Sequence, residues 1–264
     1  MAIDKINGTA FDNIAKLDGV EKASIAKFNS QEVPSATPAI VTADLIAHWD
    51  FNDSNFWSSG TTFTDLANSN TGSLNGGLSV TTGTPNYINT DGVNDYAVCD
   101  LPNDYGQQQT IEQWIQYSGQ QFSMVRGYRT NCSTANAGYW PNITSSGAIR
   151  YTIGGVSNYT LTSNNNVTTN IWYCLTWVLN GNNIKLYKNG SQIASSTIST
   201  TRHPVCATDC KLSIGMIIEN NGSISGSSSR ARSQALSEIR IYDNDLTAAQ
   251  VLSNYNARKS RYGH

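Results

Sequence analysis

From residue 44 to residue 258 the sequence predicts an all-β jelly-roll sandwich closed by one short helix, and three observations carry that expectation. Short apolar or alternating runs bounded by Gly, Asn and Asp recur from Leu45 onward about every ten residues, the spacing of sandwich strands. Charged residues make up only 14% of the 264-residue chain, against roughly 25% in average globular proteins, while Asn, Ser, Thr and Gly fill the gaps between runs as exposed turns require. A capping-box pattern, Thr247-Ala248-Ala249-Gln250, precedes Val251, Leu252 and Tyr255 at helical spacing near the C-terminus.

Ahead of the sandwich, residues 1–30 repeat with a period of 11: Ile6-Asn7-Gly8 returns as Leu17-Asp18-Gly19 and begins again at Phe28-Asn29-Ser30, and Ile14-Ala15-Lys16 returns as Ile25-Ala26-Lys27. Units this short cannot bury their own apolar side chains, so the segment reads as an anchor whose Ile6, Phe11, Ile14, Leu17, Ile25 and Phe28 pack against neighbouring subunits. Short helical turns ended by Gly and short strands joined at the Asn-Gly and Asp-Gly signals both fit; helical turns are the expectation. Residues 31–43 carry Pro34 and Pro38 among Ser, Thr and Ala, and read as an extended linker because proline removes a donor and bars helix from its predecessor.

The expected strands are Ile46 to Phe51, Tyr96 to Asp100, Thr110 to Gln116, Ser123 to Tyr128, Ile149 to Ile153, Trp172 to Leu179, Ile184 to Lys188, Gln192 to Thr197, Leu212 to Ile218 and Ala235 to Tyr242. Trp49, Trp114, Trp172 and Trp177 fall within them and are expected in the core. The capped helix should pack on the sandwich edge, and residues 259–264 read as a basic tail.

A net charge of -2 provides no cationic footprint for nucleic acid. No apolar run approaches the roughly 20 residues of a membrane-spanning helix, and Met1-Ala2-Ile3-Asp4-Lys5 opens no signal-peptide apolar core, so a soluble chain outside the general secretory route is expected. The five cysteines make no even framework. Cys206 and Cys210, spaced C-x3-C with His203 nearby, could form a disulfide or half of a zinc site, but no second pair completes four ligands, and free or opportunistically oxidised thiols are expected over a metal.

A distributed set of motifs then appears in a fixed order: His48-Trp49-Asp50-Phe51-Asn52, Thr64-Asp65-Leu66 through Gly72-Ser73-Leu74, Asp91-Gly92-Val93-Asn94-Asp95-Tyr96 and Thr110-Ile111-Glu112-Gln113-Trp114-Ile115. Trp172-Tyr173-Cys174-Leu175-Thr176-Trp177, Ile184 to Gly190 and Glu238 to Gln250 follow. This order resembles the laminin-G-like branch of the concanavalin A-like jelly rolls, with Asp91 to Tyr96 standing where that family has an Asp-Gly hairpin. The resemblance implies a recognition module more than a catalyst, and the segments 124–159 and 200–211, which match nothing in it, are where specificity would differ.

Hydrolases on that fold carry Glu-x-Asp-x-Glu on one strand, which sets two carboxylates on one face. Here Glu112, Glu219 and Glu238 stand apart, so no enzyme is expected. The resemblance implies Ca2+ among Asp50, Asn52, Asp65, Asp91, Asp95 and Glu238, with turn capping by the same side chains as the equal alternative. For sugar, the unmatched segment offers Tyr128, Tyr139, Trp140 and Tyr159 as stacking faces, with Arg129 and Asn142 for hydroxyls.

The N-terminal repeat resembles leaders on structural proteins of tailed bacteriophages. Together the two resemblances imply a virion surface protein, either a tail-fibre or spike component or a capsid decoration, assembled in the host cytoplasm as a homo-oligomer, in the first instance a trimer. Its partners would be other virion proteins and a host glycan. A bacterial carbohydrate-binding or adhesion module is the alternative, and a glycan-active enzyme the third reading.

Overall fold

A computed structural model describes residues 38–102, 108–118, 121–128, 138–154, 159–198, 208–217, 224 and 233–264, together with six two-residue strands between residues 5 and 32. Of those six strands and of residues 121–128, 208–210 and 233–234 only the backbone is described. The chain divides into two units, Met1–Ala39 and Ile40–His264.

The first unit holds three antiparallel pairs: β1 (Lys5–Ile6) with β2 (Thr9–Ala10), β3 (Lys16–Leu17) with β4 (Val20–Glu21), and β5 (Lys27–Phe28) with β6 (Gln31–Glu32). Ile6 faces Thr9, Leu17 faces Val20 and Phe28 faces Gln31, so the sequence period is a period of hairpins. The expected helical turns are therefore corrected to strands. The physical reason is the two residues between each pair, Asn7-Gly8, Asp18-Gly19 and Asn29-Ser30, the first two being strong signals for a two-residue hairpin loop. Of the anchor residues, Phe11, Ile14 and Ile25 lie outside the described residues, and Ile6, Leu17 and Phe28 are described in backbone only.

The second unit contains β7 (Leu45–Asp50), β8 (Thr62–Thr64), β9 (Thr71–Asn75), β10 (Val80–Thr81), β11 (Tyr87–Asp91), β12 (Tyr96–Asp100), β13 (Gln108–Gln116) and β14 (Gln121–Tyr128). There follow β15 (Tyr139–Ile143), β16 (Ala148–Ile153), β17 (Tyr159–Asn166), β18 (Trp172–Asn180), β19 (Asn183–Lys188), β20 (Ser191–Thr197), β21 (Thr208–Ile214), β22 (Ser233–Tyr242) and the helix α1 (Ala248–Arg258). One antiparallel sheet runs β10-β11-β22-β13-β18-β19-β20, with β7 continuing along the side of β22 that β11 leaves free. The other runs β17-β16-β15-β14-β21-β12-β9-β8.

Between them lies the main core, in which Trp49, Ile111, Leu175, Trp177, Ile239 and Ile241 from the first sheet meet Tyr139, Ile149, Tyr151, Ile153, Leu212 and Ile214 from the second. Trp49 and Phe63 pack with ring centroids 4.7 Å apart, as do Phe56 and Phe63. This is the expected all-β sandwich with one C-terminal α-helix.

Helix α1 starts where the sequence placed it. Thr247 Oγ1 accepts the Gln250 N–H, and Gln250 Oε1 in turn accepts the Thr247 N–H, so each satisfies an orphan donor of the other. The expected basic tail is instead a 3-10 helix, Lys259–Tyr262, that packs against the first sheet, because Tyr262 buries its ring on Trp114 and Cys174.

Two further expectations change. Asp91 to Asp95 is not a hairpin within one sheet: β11 pairs β10 and β22, while β12 pairs β9 and β21, so the turn carries the chain from one sheet to the other. An Asp-Gly signal marks a turn but says nothing of which sheet receives the next strand. The strand expected over Leu212 to Ile218 begins at Thr208 and stops at Ile214, because Gly215 takes φ +91°, where a Cβ would stand 2.6 Å from the Asp95 carbonyl oxygen. Trp49, Trp114 and Trp177 are buried as expected, whereas Trp172 is only half-buried.

Candidate functional site

Strands β13, β18 and β22 are buried on both faces, one against the sandwich core and the other beneath α1 and the 3-10 helix. Their second face holds a buried ionic cluster beside the apolar groups Trp114, Cys174 and Tyr262 and Val178, Tyr242 and Val251. Glu112 lies opposite Arg240 across the β13–β22 ladder, and Arg240 lies opposite His48 on β7. The Arg240 guanidinium pairs with both Glu112 and Glu238, and all three side chains are about 1% exposed. Glu238 also meets His48 Nε2 at 3.0 Å, Arg258 Nε at 3.4 Å and Arg261 Nη1 at 3.6 Å, while Arg261 Nη1 donates to Asp50 at 2.9 and 2.7 Å. Asn254 of α1 closes the cluster by donating to the Tyr242 hydroxyl at 3.0 Å and to Glu112 at 3.3 Å.

Two of the three glutamates of the β-domain that stand apart in sequence, Glu112 and Glu238, thus converge, but on a cation and out of reach of solvent. Burial would lift the Glu238 carboxyl, yet Arg240, His48 and Arg258 outweigh it and hold the group at about 2. At Glu112 burial prevails over Arg240 and raises the carboxyl above its ordinary range. The cluster has the form of a structural ion-pair network, with donors already fitted to the carboxylates.

His48, Asp50 and Glu238 offer donor atoms all within 4.8 Å of one another, a spacing that a metal could bridge. The chemistry of the set does not fit Ca2+, because three guanidinium groups already occupy these carboxylates and a second cation would have to displace them. Nor do the six residues expected to bind calcium come together. Asn52 donates to Asp50 Oδ1 at 3.0 Å and accepts the Asn86 N–H at 2.7 Å. Asp65 is a separate buried cap that accepts N–H groups of His48, Ala67 and Asn68 and the Trp49 indole at 2.9 Å. Asp91 Oδ1 collects the N–H groups of Val93, Asn94 and Asp95 in the inter-sheet turn, and the Val93 bond leads in lowering its carboxyl. Asp95 sits beside it, raised by burial and by the Asp91 charge.

The residues expected to bind sugar also separate. Tyr139 is a correction: it is 2% exposed and packs in the core with its ring centroid 6.3 Å from that of Tyr151, because inward and outward positions alternate along β15. Tyr159 is half-buried against the core, its hydroxyl 2.6 Å from Ser196 Oγ. Arg129 lies outside the described residues, Tyr128 is described in backbone only, and the Cys206–Cys210 pair also falls outside because Cys206 is not described. Cys99 and Cys174 are buried free thiols, and burial pushes Cys99 up to about 12.

Trp140 and Asn142 remain on the outward face of the second sheet, both half-buried. The ladders extend them into two rows across three strands. Trp140 lies opposite Thr152, which lies opposite Thr160; Asn142 lies opposite Arg150, which lies opposite Thr162. Residues paired in an antiparallel ladder project from the same face, so these six share one surface of roughly 10 by 7 Å at the β17 edge of the sheet. Sequence reasoning missed Arg150, Thr152, Thr160 and Thr162. Their alternation with Ile149, Tyr151 and Ile153 was readable, but which strand faces β15 was not.

Solved structures of toxin binding domains share this fold. The chain matches the binding domain of botulinum neurotoxin DC in complex with SialylT at TM-score 0.58 and 13% identity, covering 82% of this chain and 52% of that one. It matches the receptor-binding domain of the botulinum neurotoxin C/D mosaic serotype at 0.60 and 16%, covering 83% and 52%. The binding domain of paraclostridial mosquitocidal protein 1 gives 0.58 and 16%, covering 81% and 52%. The chain therefore spans about half the length of these structures. No curated protein sequence matches it. A laminin-G family model matches residues 90–252, from the end of β11 into α1, and by that match the chain belongs to the concanavalin A-like lectin/glucanases superfamily.

Proposed function

We propose that the jelly roll is a non-enzymatic glycan-binding module. The observation that carries this reading is the outward face around Trp140, where a half-buried indole lies among Asn142, Arg150 and three threonines. Such a face supplies an apolar ring on which a pyranose stacks and polar groups at hydroxyl distance. Glu112 and Glu238 support the non-enzymatic part, since both are committed to Arg240. A glycan array probed with the full chain and with Trp140→Ala tests it: signals carried by the natural chain and lost in the variant are expected, and polysaccharide turnover by the purified chain would replace it with the enzyme reading.

The same proposal extends to display. Three hairpins spaced 11 residues apart support a repetitive N-terminal anchor, and with the resemblance to phage leaders this makes the chain a virion surface protein, as fibre, spike or capsid decoration, assembled as a homo-oligomer in contact with other virion proteins. Deleting residues 1–30 should abolish incorporation into particles while leaving the sandwich folded. A second reading, a bacterial adhesion or receptor-binding module unconnected with a virion, draws support from the fold shared with toxin receptor-binding domains. Incorporation of the truncated chain would favour it.

A further inference from the structure

We propose that the Trp140 face selects anionic sugars and that Arg150 is its specificity-determining residue, an inference that rests on the glycan-binding reading above. Four arginine side chains are described, and three of them, Arg240, Arg258 and Arg261, are ion-paired to buried carboxylates. Arg150 has no carboxylate partner among the described residues. Its Nε donates to Thr162 Oγ1 at 3.3 Å, which fixes the plane of the guanidinium and leaves the outer nitrogens as a fork of donors. Such a fork matches the paired oxygens of a carboxylate or sulfate and serves a neutral hydroxyl less well.

Its neighbours prepare the rest of the contact. Asn142 Nδ2 donates to the Trp140 carbonyl at 2.9 Å, holding the amide within its own strand and turning its oxygen away as an acceptor for a sugar hydroxyl. Thr152 and Thr160 are 3.2 Å apart at their hydroxyls and edge the row that contains the indole. Trp140 and Arg150 are diagonal neighbours across the β15–β16 ladder, Trp140 pairing with Thr152 and Asn142 with Arg150. That diagonal is roughly 7 to 8 Å at the backbone, within reach of long side chains, so a ring stacked on Trp140 can place an acidic substituent on Arg150.

The test is an array of neutral glycans with matched sialylated, uronic-acid and sulfated counterparts, probed with the full natural chain and with Arg150→Gln, Arg150→Lys and Trp140→Ala, each checked by its melting temperature. The anionic members should bind in preference to their neutral counterparts. Arg150→Gln should weaken them about tenfold or more, Arg150→Lys should recover part of the loss, and Trp140→Ala should remove binding altogether. The carboxylated and sulfated sets separate the two sources of charge. Equal binding of neutral and anionic members, or an Arg150→Gln variant that binds like the natural chain, overturns this inference and leaves glycan binding standing. A blank array from a folded natural chain overturns both.

Discussion

Trp114 and Tyr262 stack face to face, with ring centroids 3.9 Å apart and planes 7° from parallel. Tyr255 adds a second ring 5.8 Å from Trp114, and the Tyr262 hydroxyl reaches Ser237 Oγ at 3.0 Å. A segment that reads as a charged tail therefore caps the outer face of the first sheet. Tyr262→Ala should lower unfolding free energy by about 3 kcal/mol, the usual cost of emptying a buried aromatic site. Urea unfolding measures it, and a loss below about 1 kcal/mol would show that the cap contributes little.

Arg240 is the common partner of Glu112 and Glu238. Replacing it with Met keeps much of the volume but leaves two buried carboxylates without their main cation, and a loss of about 3 to 5 kcal/mol is expected. Glu112→Gln leaves Arg240 paired to Glu238 and should cost less. Equal midpoints for the natural chain and Arg240→Met in chemical unfolding would contradict the network's structural role.

Acid should weaken the fold partly through Glu238. Its folded pKa of about 2 lies below the unfolded value of about 4.3, so its stabilisation is complete above that unfolded value and is lost as pH falls towards 2. Glu112, raised by burial, works in the opposite sense as pH falls. Comparison with Glu238→Gln isolates the first effect: the stability gap between variant and natural chain should narrow from about pH 4.5 down to about 2. A gap constant across that window would be incompatible with the assignment.

Calcium should change little, since the six candidate oxygen ligands are divided among separate hydrogen-bonded caps and ion pairs. After exhaustive EDTA treatment, addition of millimolar Ca2+ is expected to leave the melting temperature within about 1 °C. A rise of more than about 5 °C would reveal a ligand set that these contacts do not describe.

Much of the scaffold was legible along the chain. All ten expected strands occur, Tyr96–Asp100 with its expected ends and the other nine with one or both ends shifted, and the capping box placed α1 to the residue, because both signals are local: a run of apolar side chains, or a hydroxyl three residues from an amide. Two of the strands that escaped notice, Thr71–Asn75 and Tyr159–Asn166, are polar and edge or near-edge, so they lack the apolar contrast that marks a buried strand. The expected Ca2+ and sugar sets were grouped by nearness in sequence or by family order. Alternation along β15 then sent Tyr139 inward and Trp140 outward, and register alone set Arg150 beside Asn142.

By itself, then, the sequence determined the all-β class, the helix start, the 11-residue period of the first 30 residues and the scarcity of acids on any one strand. Only the tertiary structure decided that Glu112 and Glu238 share Arg240, that the last residues seal a sheet face, and that Arg150 stands diagonal to Trp140 with no carboxylate partner among the described residues. The reason is one of range: periodicity and capping act within a few residues, whereas sheet register joins positions more than a hundred residues apart, and a one-residue slip would turn every side chain to the other face.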